Sequence, residues 1–223
     1  KIRYNMTEKT KTKPVPKERR IEKELLGILI FLAVLVVVFV IASSYFKSLN
    51  YFEYNGLTFA KERLENIPIF HHSYYLKAPS GKLIQYNFYL RNDPRESNIT
   101  IEGIPSRLLA PGAVAYLSVN SEGLQECNYG QLAVASISSF MSDNQMKVIA
   151  GNLDFWQAGA RRDKWVTCEN QPGNRVVELL KGNETKVSID GNCYRIEVND
   201  CQILEAVEKL EVQSIVDARK VSV

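Results

Sequence analysis

The four cysteines, Cys127, Cys168, Cys193 and Cys201, are the residues of this chain best equipped for chemistry. Their successive spacings are 41, 25 and 8 residues, so no short Cys-x-x-Cys pair exists and zinc ligation is disfavoured. An even number suits a disulfide framework in a non-reducing compartment, whereas a reducing one would leave four buried thiols. Cys193–Val198 reads as a strand, because Tyr194, Ile196 and Val198 alternate with Arg195 and Glu197. At about 3.3 Å per residue that strand separates Cys193 from Cys201 by well over 10 Å. A disulfide needs its Cα atoms within about 7 Å. The expected bridges therefore join Cys127 and Cys168 to Cys193 and Cys201, in either of the two pairings that remain.

The other chemically capable residues form no recognisable constellation. His71 and His72 are the only histidines, and adjacent residues of a strand face opposite ways. Neither has a His or Cys partner at ligand spacing, so both are read as ordinary strand residues. Glu122, Glu126, Asp154 and Asp163 could meet as a carboxylate pair in three dimensions, but solvated surface is the preferred reading. Gly123 alone makes no phosphate cradle, and no G-x-S-x-G or H-E-x-x-H occurs. No catalytic residue, metal or cofactor is expected. Asn98-Ile99-Thr100 and Asn183-Glu184-Thr185 are glycosylation sequons, usable if the host modifies exported proteins.

What positions these residues is the stretch Leu25–Phe46, 22 residues without a charge. At about 1.5 Å per residue it can cross a hydrocarbon core about 30 Å thick. Residues 1–24 hold nine Lys/Arg against four Glu, a net +5. The rest of the chain carries 19 basic and 21 acidic residues, a net −2, which gives no support to nucleic-acid binding. The basic leader keeps the N-terminus cytoplasmic and sends the remainder across the membrane. Pro14, Pro16 and the mixed charges of Lys9–Arg20 prevent the leader from folding, although it could touch anionic headgroups. A cleaved signal at Ala42-Ser43-Ser44 requires a shorter apolar run. A pilin-type leader requires a cut near Leu26-Gly27 with an early Glu that this run lacks. The chain opens on Lys1, so it is read as a fragment or as starting at Met6.

Beyond the span, Tyr51–Lys61 reads as a hairpin around Asn55-Gly56. A second hairpin, Ile69–Ala78 and Lys82–Arg91, turns at Pro79-Ser80-Gly81. Ile84, Tyr86, Phe88 and Leu90 form its core-facing set, and Asn92-Asp93-Pro94-Arg95 ends it. Ile99–Glu102 is a further short strand, and a loop follows between Ile104-Pro105 and Pro111-Gly112. Strand 113–120, helix Asn128–Ser142 and strand Gln145–Ala150 make a β-α-β unit. The apolar side of that helix is assigned to Leu132, Ala135, Ile137, Phe140 and Met141. Lys164–Glu169, Arg175–Lys181, Thr185–Ile189 and Cys193–Val198 are read as strands. Gln202–Ala218 is read as a helix with Asp200 as N-cap.

The expected fold class is α+β. A basic leader (1–24) and a transmembrane helix (25–46) precede an extracytoplasmic domain (50–223). That domain divides into a hairpin half (50–111) and a β-α-β-containing half with a C-terminal helix (112–223). Tyr86-Asn87-Phe88-Tyr89-Leu90-Arg91-Asn92-Asp93-Pro94-Arg95 resembles a stretch in uncharacterised single-pass surface proteins of archaea, and the later Cys-containing half is similar to the same group. That group has no assigned activity, so the resemblance transfers no functional residue.

The leading functional expectation is a binding or structural module of the cell envelope, anchored in membrane lipid through 25–46, with an envelope protein or polysaccharide as partner. Tyr51, Phe52, Tyr74, Tyr75, Tyr86, Phe88 and Tyr89 are more aromatics than one sheet face needs, unless both faces are buried. The alternatives are an envelope enzyme with a cleft at 121–127 and a pilin-like surface subunit.

Overall fold

The computed structural model describes residues 18–77, 81–103 and 108–220. The expectations for the leader up to Lys17, for Pro79 and Ser80 and for the loop at 104–107 lie outside the described residues. The chain divides between Leu49 and Asn50 into two units. The first is carried by α1 (Glu18–Asn50), whose stretch Lys23–Asn50 is long and apolar enough to cross a membrane or to act as a signal.

The second unit is a mixed α and β domain, and the expected hairpins open it. β1 (Tyr51–Tyr54), β2 (Leu57–Leu64), β3 (Ile67–Lys77) and β4 (Leu83–Leu90) form an antiparallel meander in that order. Asn55 and Gly56 have φ of 50° and 74°, as a type I′ turn requires. A further tight turn at Glu65-Asn66 joins β2 to β3, with Glu65 at φ 57°. Glutamate carries no turn signal, and Asn66, which does, was not used in the sequence reading. Along β4, Tyr86, Phe88 and Leu90 turn inward as their alternation requires, while Ile84 near the strand end stays exposed.

The remaining strands are β5 (Thr100–Gly103), β6 (Val114–Val119), β7 (Lys147–Asn152), β8 (Arg175–Lys181), β9 (Lys186–Asp190) and β10 (Cys193–Val198). They form one sheet of order β5-β9-β10-β8-β6-β7. β10, β8, β6 and β7 run parallel to one another, β9 is antiparallel to β10, and β5 is parallel to β9. β6 and β7 are joined through α2 (Gly130–Asp143), which is the expected β-α-β unit. Helices α3 (Phe155–Arg161) and α4 (Ile203–Lys220) complete the domain.

α2 and α4 both pack on the six-stranded sheet and both reach the meander, Phe140 meeting Phe88 and Arg219 bonding the Gly56 carbonyl. One core results, with Phe59 and Leu90 from the meander, Ile137 and Leu210 from the helices and Val177 and Ile196 from the second sheet.

Three local expectations are corrected. Leu132 and Ala135 of α2 are exposed, and Ala133 takes their place in the core. Lys164–Glu169 is not a strand beyond one bridge from Trp165 to Asn152. The Thr167 and Cys168 amides there donate to the side chains of Asn170 and Glu178 instead of to a neighbouring strand. Asp200 does not cap α4, because it sits at φ 48° and the helix begins only after Gln202, whose carbonyl accepts from the Ala206 amide. α3, to which the sequence reading assigned no element, is capped by Asp154 accepting from the Gln157 amide at 2.7 Å.

α4 is buried on nearly every side, and so are its acidic residues Glu208, Glu211 and Asp217. A helix enclosed between two sheets has no solvent face to offer them. Glu208 answers burial by accepting from the amides of Arg91 and Asn92 and from Asn92 Nδ2, which fixes the turn ending β4. Glu211 accepts only from Ser136 Oγ at 2.9 Å, and its second oxygen has no partner.

Candidate functional site

The cysteines meet first. Cys127 is bonded to Cys201 and Cys168 to Cys193, with Cα separations of 5.1 and 5.4 Å. This is one of the two pairings left open by the strand between Cys193 and Cys201, which is β10. Among the described residues Cys168, Glu178 and Cys193 also bring ligand atoms within 4.8 Å of one another. Both sulfurs are committed to the disulfide, and Glu178 is engaged by Arg195 Nε at 2.8 Å and by the Cys168 amide, so this cluster is structural. Asn98 and Asn183 are both exposed, before β5 and in the β8–β9 turn.

The loop after β6 does border a concavity of about 760 Å³, closed at one side by the Cys127–Cys201 bridge. Its polar lining is Ser121, Gln125, Glu126, Asn128, Gln131 and Ser138. Among the described residues Glu126 is the one carboxylate in the lining, and the lining holds no basic side chain to pair with it. Glu122 and Asp163 are exposed, and Asp154 is occupied in capping α3.

His71 and His72 face opposite ways, as strand geometry requires. His72 is buried; its Nδ1 donates to the Thr58 carbonyl at 2.8 Å while Nε2 accepts from Arg219. Burial holds its pKa below the ordinary value of 6.5. His71 lies on the outer face of the meander beside a concavity of about 480 Å³. Its Nδ1 is 3.0 Å from Glu62 Oε1, its Nε2 3.3 Å from Ser73 Oγ, and its ring stacks on Tyr89 at 4.6 Å. A hydroxyl, an imidazole and a carboxylate in line have the geometry of a nucleophile relay. However, Asn87 Oδ1 also claims Nε2, at 3.2 Å. The spacing of His71 and Ser73 on one strand was readable in the sequence; Glu62 joins them only through the β2–β3 register.

The surplus aromatics divide between the two faces of the meander. Tyr74 and Phe88 enter the core, where burial pushes the Tyr74 hydroxyl up to about 12, and Tyr51, Tyr75 and Tyr89 stand exposed.

A second aromatic group, which sequence reasoning missed, lies at the carboxyl end of β7. Phe155 and Trp156 open α3, and Trp165 returns beside them, with Phe155 ring centroids 5.5 Å from Trp156 and 5.2 Å from Trp165. Gly151 permits that return, since a Cβ there would meet the Val166 side chain at 2.7 Å. Trp156 is 81 % exposed, and Arg161, Arg162 and Lys164 stand exposed in the same segment. The nearness of two tryptophans nine residues apart was the available signal.

No protein-family model, curated protein or solved structure matches the chain.

Proposed function

We propose that the chain is a single-pass membrane protein whose domain 50–223 stands outside the cytoplasmic membrane as a non-catalytic binding module of the cell envelope. The archaeal surface proteins that Tyr86–Arg95 resembles would be its nearest company. The apolar helix and the basic residues before it support the anchor and its orientation. Two disulfides support an oxidising compartment.

The observation that carries binding is the exposed Phe155–Trp156–Trp165 group. Burying one such ring is worth about 1.5–3 kcal/mol, and Trp, Phe and Arg are the residues enriched in contact surfaces. The partner is an envelope protein or polysaccharide. Cross-linking in native membranes should recover an envelope component with the wild-type chain. Phe155→Ala/Trp156→Ala should reduce recovery about 30-fold at unchanged melting temperature, as loss of one hot spot of about 2 kcal/mol would. Equal recovery by both proteins contradicts the proposal.

A second reading, hydrolysis at Ser73, is favoured by the Ser73–His71–Glu62 string alone. A fluorophosphonate probe separates the two. Under the binding reading Ser73 stays unlabelled at millimolar probe, and adduct formation that disappears in His71→Ala would make the protein an enzyme.

A further inference from the structure

We propose that the groove between β4 and α2 binds an extended peptide segment of a partner protein, which adds a fifth strand to the meander. The inference rests on the binding-module reading but uses a surface separate from the Trp156 group. β4 ends the order β1-β2-β3-β4 and pairs only with β3. Among the described residues, the outward N–H and C=O groups of β4 have no partner. Exposed edges are ordinarily blunted by Pro, Lys or a bulge. β4 reads LIQYNFYL, eight residues with no proline and no charge. An edge kept regular and unprotected is suited to strand addition.

Beside that edge runs a concavity of about 470 Å³. One wall is Tyr86–Tyr89 of β4, and the other is a single face of α2 with Leu132, Ala135, Ser136, Ser139 and Asp143. These positions follow helical spacing. The floor is closed by Phe88 against Phe140, centroids 5.6 Å apart, and by the Tyr74 hydroxyl 2.8 Å from Asn144 Nδ2. The wall explains why Leu132 and Ala135, apolar and on a core helix, are exposed.

The groove also specifies the chemistry of its occupant. Asp143 is the one carboxylate lining it and sits in the last turn of α2, where the helix dipole adds negative potential. Leu132 marks the opposite end. The distance from Leu132 to Asp143 along the helix is about 16 Å; residues on one face of a strand are an even number apart, so a pair four residues apart covers about 13 Å of it and a long basic side chain reaches the rest. The occupant is therefore a strand-forming segment with a Lys or Arg at one end and a Val, Ile or Leu four residues away, on the same face of the strand.

The test uses the full chain in nanodiscs and fluorescence anisotropy. The probe is a degenerate heptapeptide pool with Lys at one end and Val, Ile or Leu four residues on. Saturable binding is expected. Alternate backbone N-methylation of the pool should weaken it at least about tenfold, because strand hydrogen bonds are lost. Asp143→Lys should weaken it by a similar factor, about the worth of a charge-assisted bond, and a pool with Glu in place of Lys should recover affinity for that variant. Absence of binding overturns the proposal, as does binding indifferent to both changes. A chain that dimerises through β4, so that the pool cannot compete, also overturns it, by assigning the edge to a second copy. Phe155→Ala/Trp156→Ala should bind the pool normally, so failure of this proposal and failure of the envelope-partner reading give different results.

Discussion

Reduction of both disulfides is expected to lower the stability of domain 50–223 by about 8 kcal/mol, from the loop-closure entropy returned to the unfolded chain. The Cys127–Cys201 bridge spans 74 residues and Cys168–Cys193 spans 25. The corresponding contributions are about 4.5 and about 3.5 kcal/mol. A domain's whole stability is about 5–15 kcal/mol, so the reduced protein should be largely unfolded at 37 °C. The two bridges should also rank. Cys127→Ser/Cys201→Ser should cost more than Cys168→Ser/Cys193→Ser, both because its loop is longer and because Glu178 still ties the Cys168 amide to Arg195 of β10 after the shorter bridge is lost. Urea midpoints with and without a non-thiol reductant measure this. An unchanged midpoint on reduction would exclude the bridges as stabilising elements.

The buried glutamates of α4 should respond in opposite directions when altered. Glu208→Ala leaves the Arg91 and Asn92 amides and Asn92 Nδ2 without their charged acceptor. Hydrogen bonds to charged groups contribute about 1.5–3 kcal/mol each, less where water can substitute. For donors this partly exposed the expected loss is about 3 kcal/mol, or about 6–12 °C in melting temperature for a domain of this size.

Glu211 is the reverse case. Burial, with the Glu208 carboxylate adding to it, raises its pKa well above 4.5, and one Ser136 hydroxyl offsets little of that. A group whose folded pKa lies above its unfolded value lends stability that is complete below the unfolded value and is lost as pH rises through the folded one. Glu211→Gln keeps the shape without the titration. It should match wild type near pH 4 and exceed it increasingly as pH rises above the ordinary carboxylate range, with the Ser136 bond available to the amide oxygen. A Gln variant no more stable than wild type at pH 9 would show that Glu211 is neutralised by something other than its own proton. Melting curves from pH 4 to pH 9, on both variants, read the contrast directly.

How far the sequence reached depended on the range of the interactions involved. The apolar helix, the Asn55-Gly56 hairpin, the inward parity of β4, the β6-α2-β7 unit and the strand between Cys193 and Cys201 all follow from patterns within single elements or between consecutive ones. Each expresses a local rule, such as the φ values a two-residue turn requires or the period of a strand. The same local rule excluded one cysteine pairing of three, because a strand fixes its own length.

What the sequence left open was decided by contacts between distant segments. The choice of Cys127–Cys201 over Cys127–Cys193 depended on the order of β10 and β8 in the sheet. Glu62 reached His71 only through strand register. Leu132 and Ala135 were assigned to the core because a helix pattern shows where an apolar face lies, but not whether another layer arrives to cover it. The acidic residues of α4 lost their water for the converse reason, a layer arriving on more than one side of the helix. Local periodicity ranks the faces of an element, and only the packing of layers on both sides decides how many of those faces lose their water.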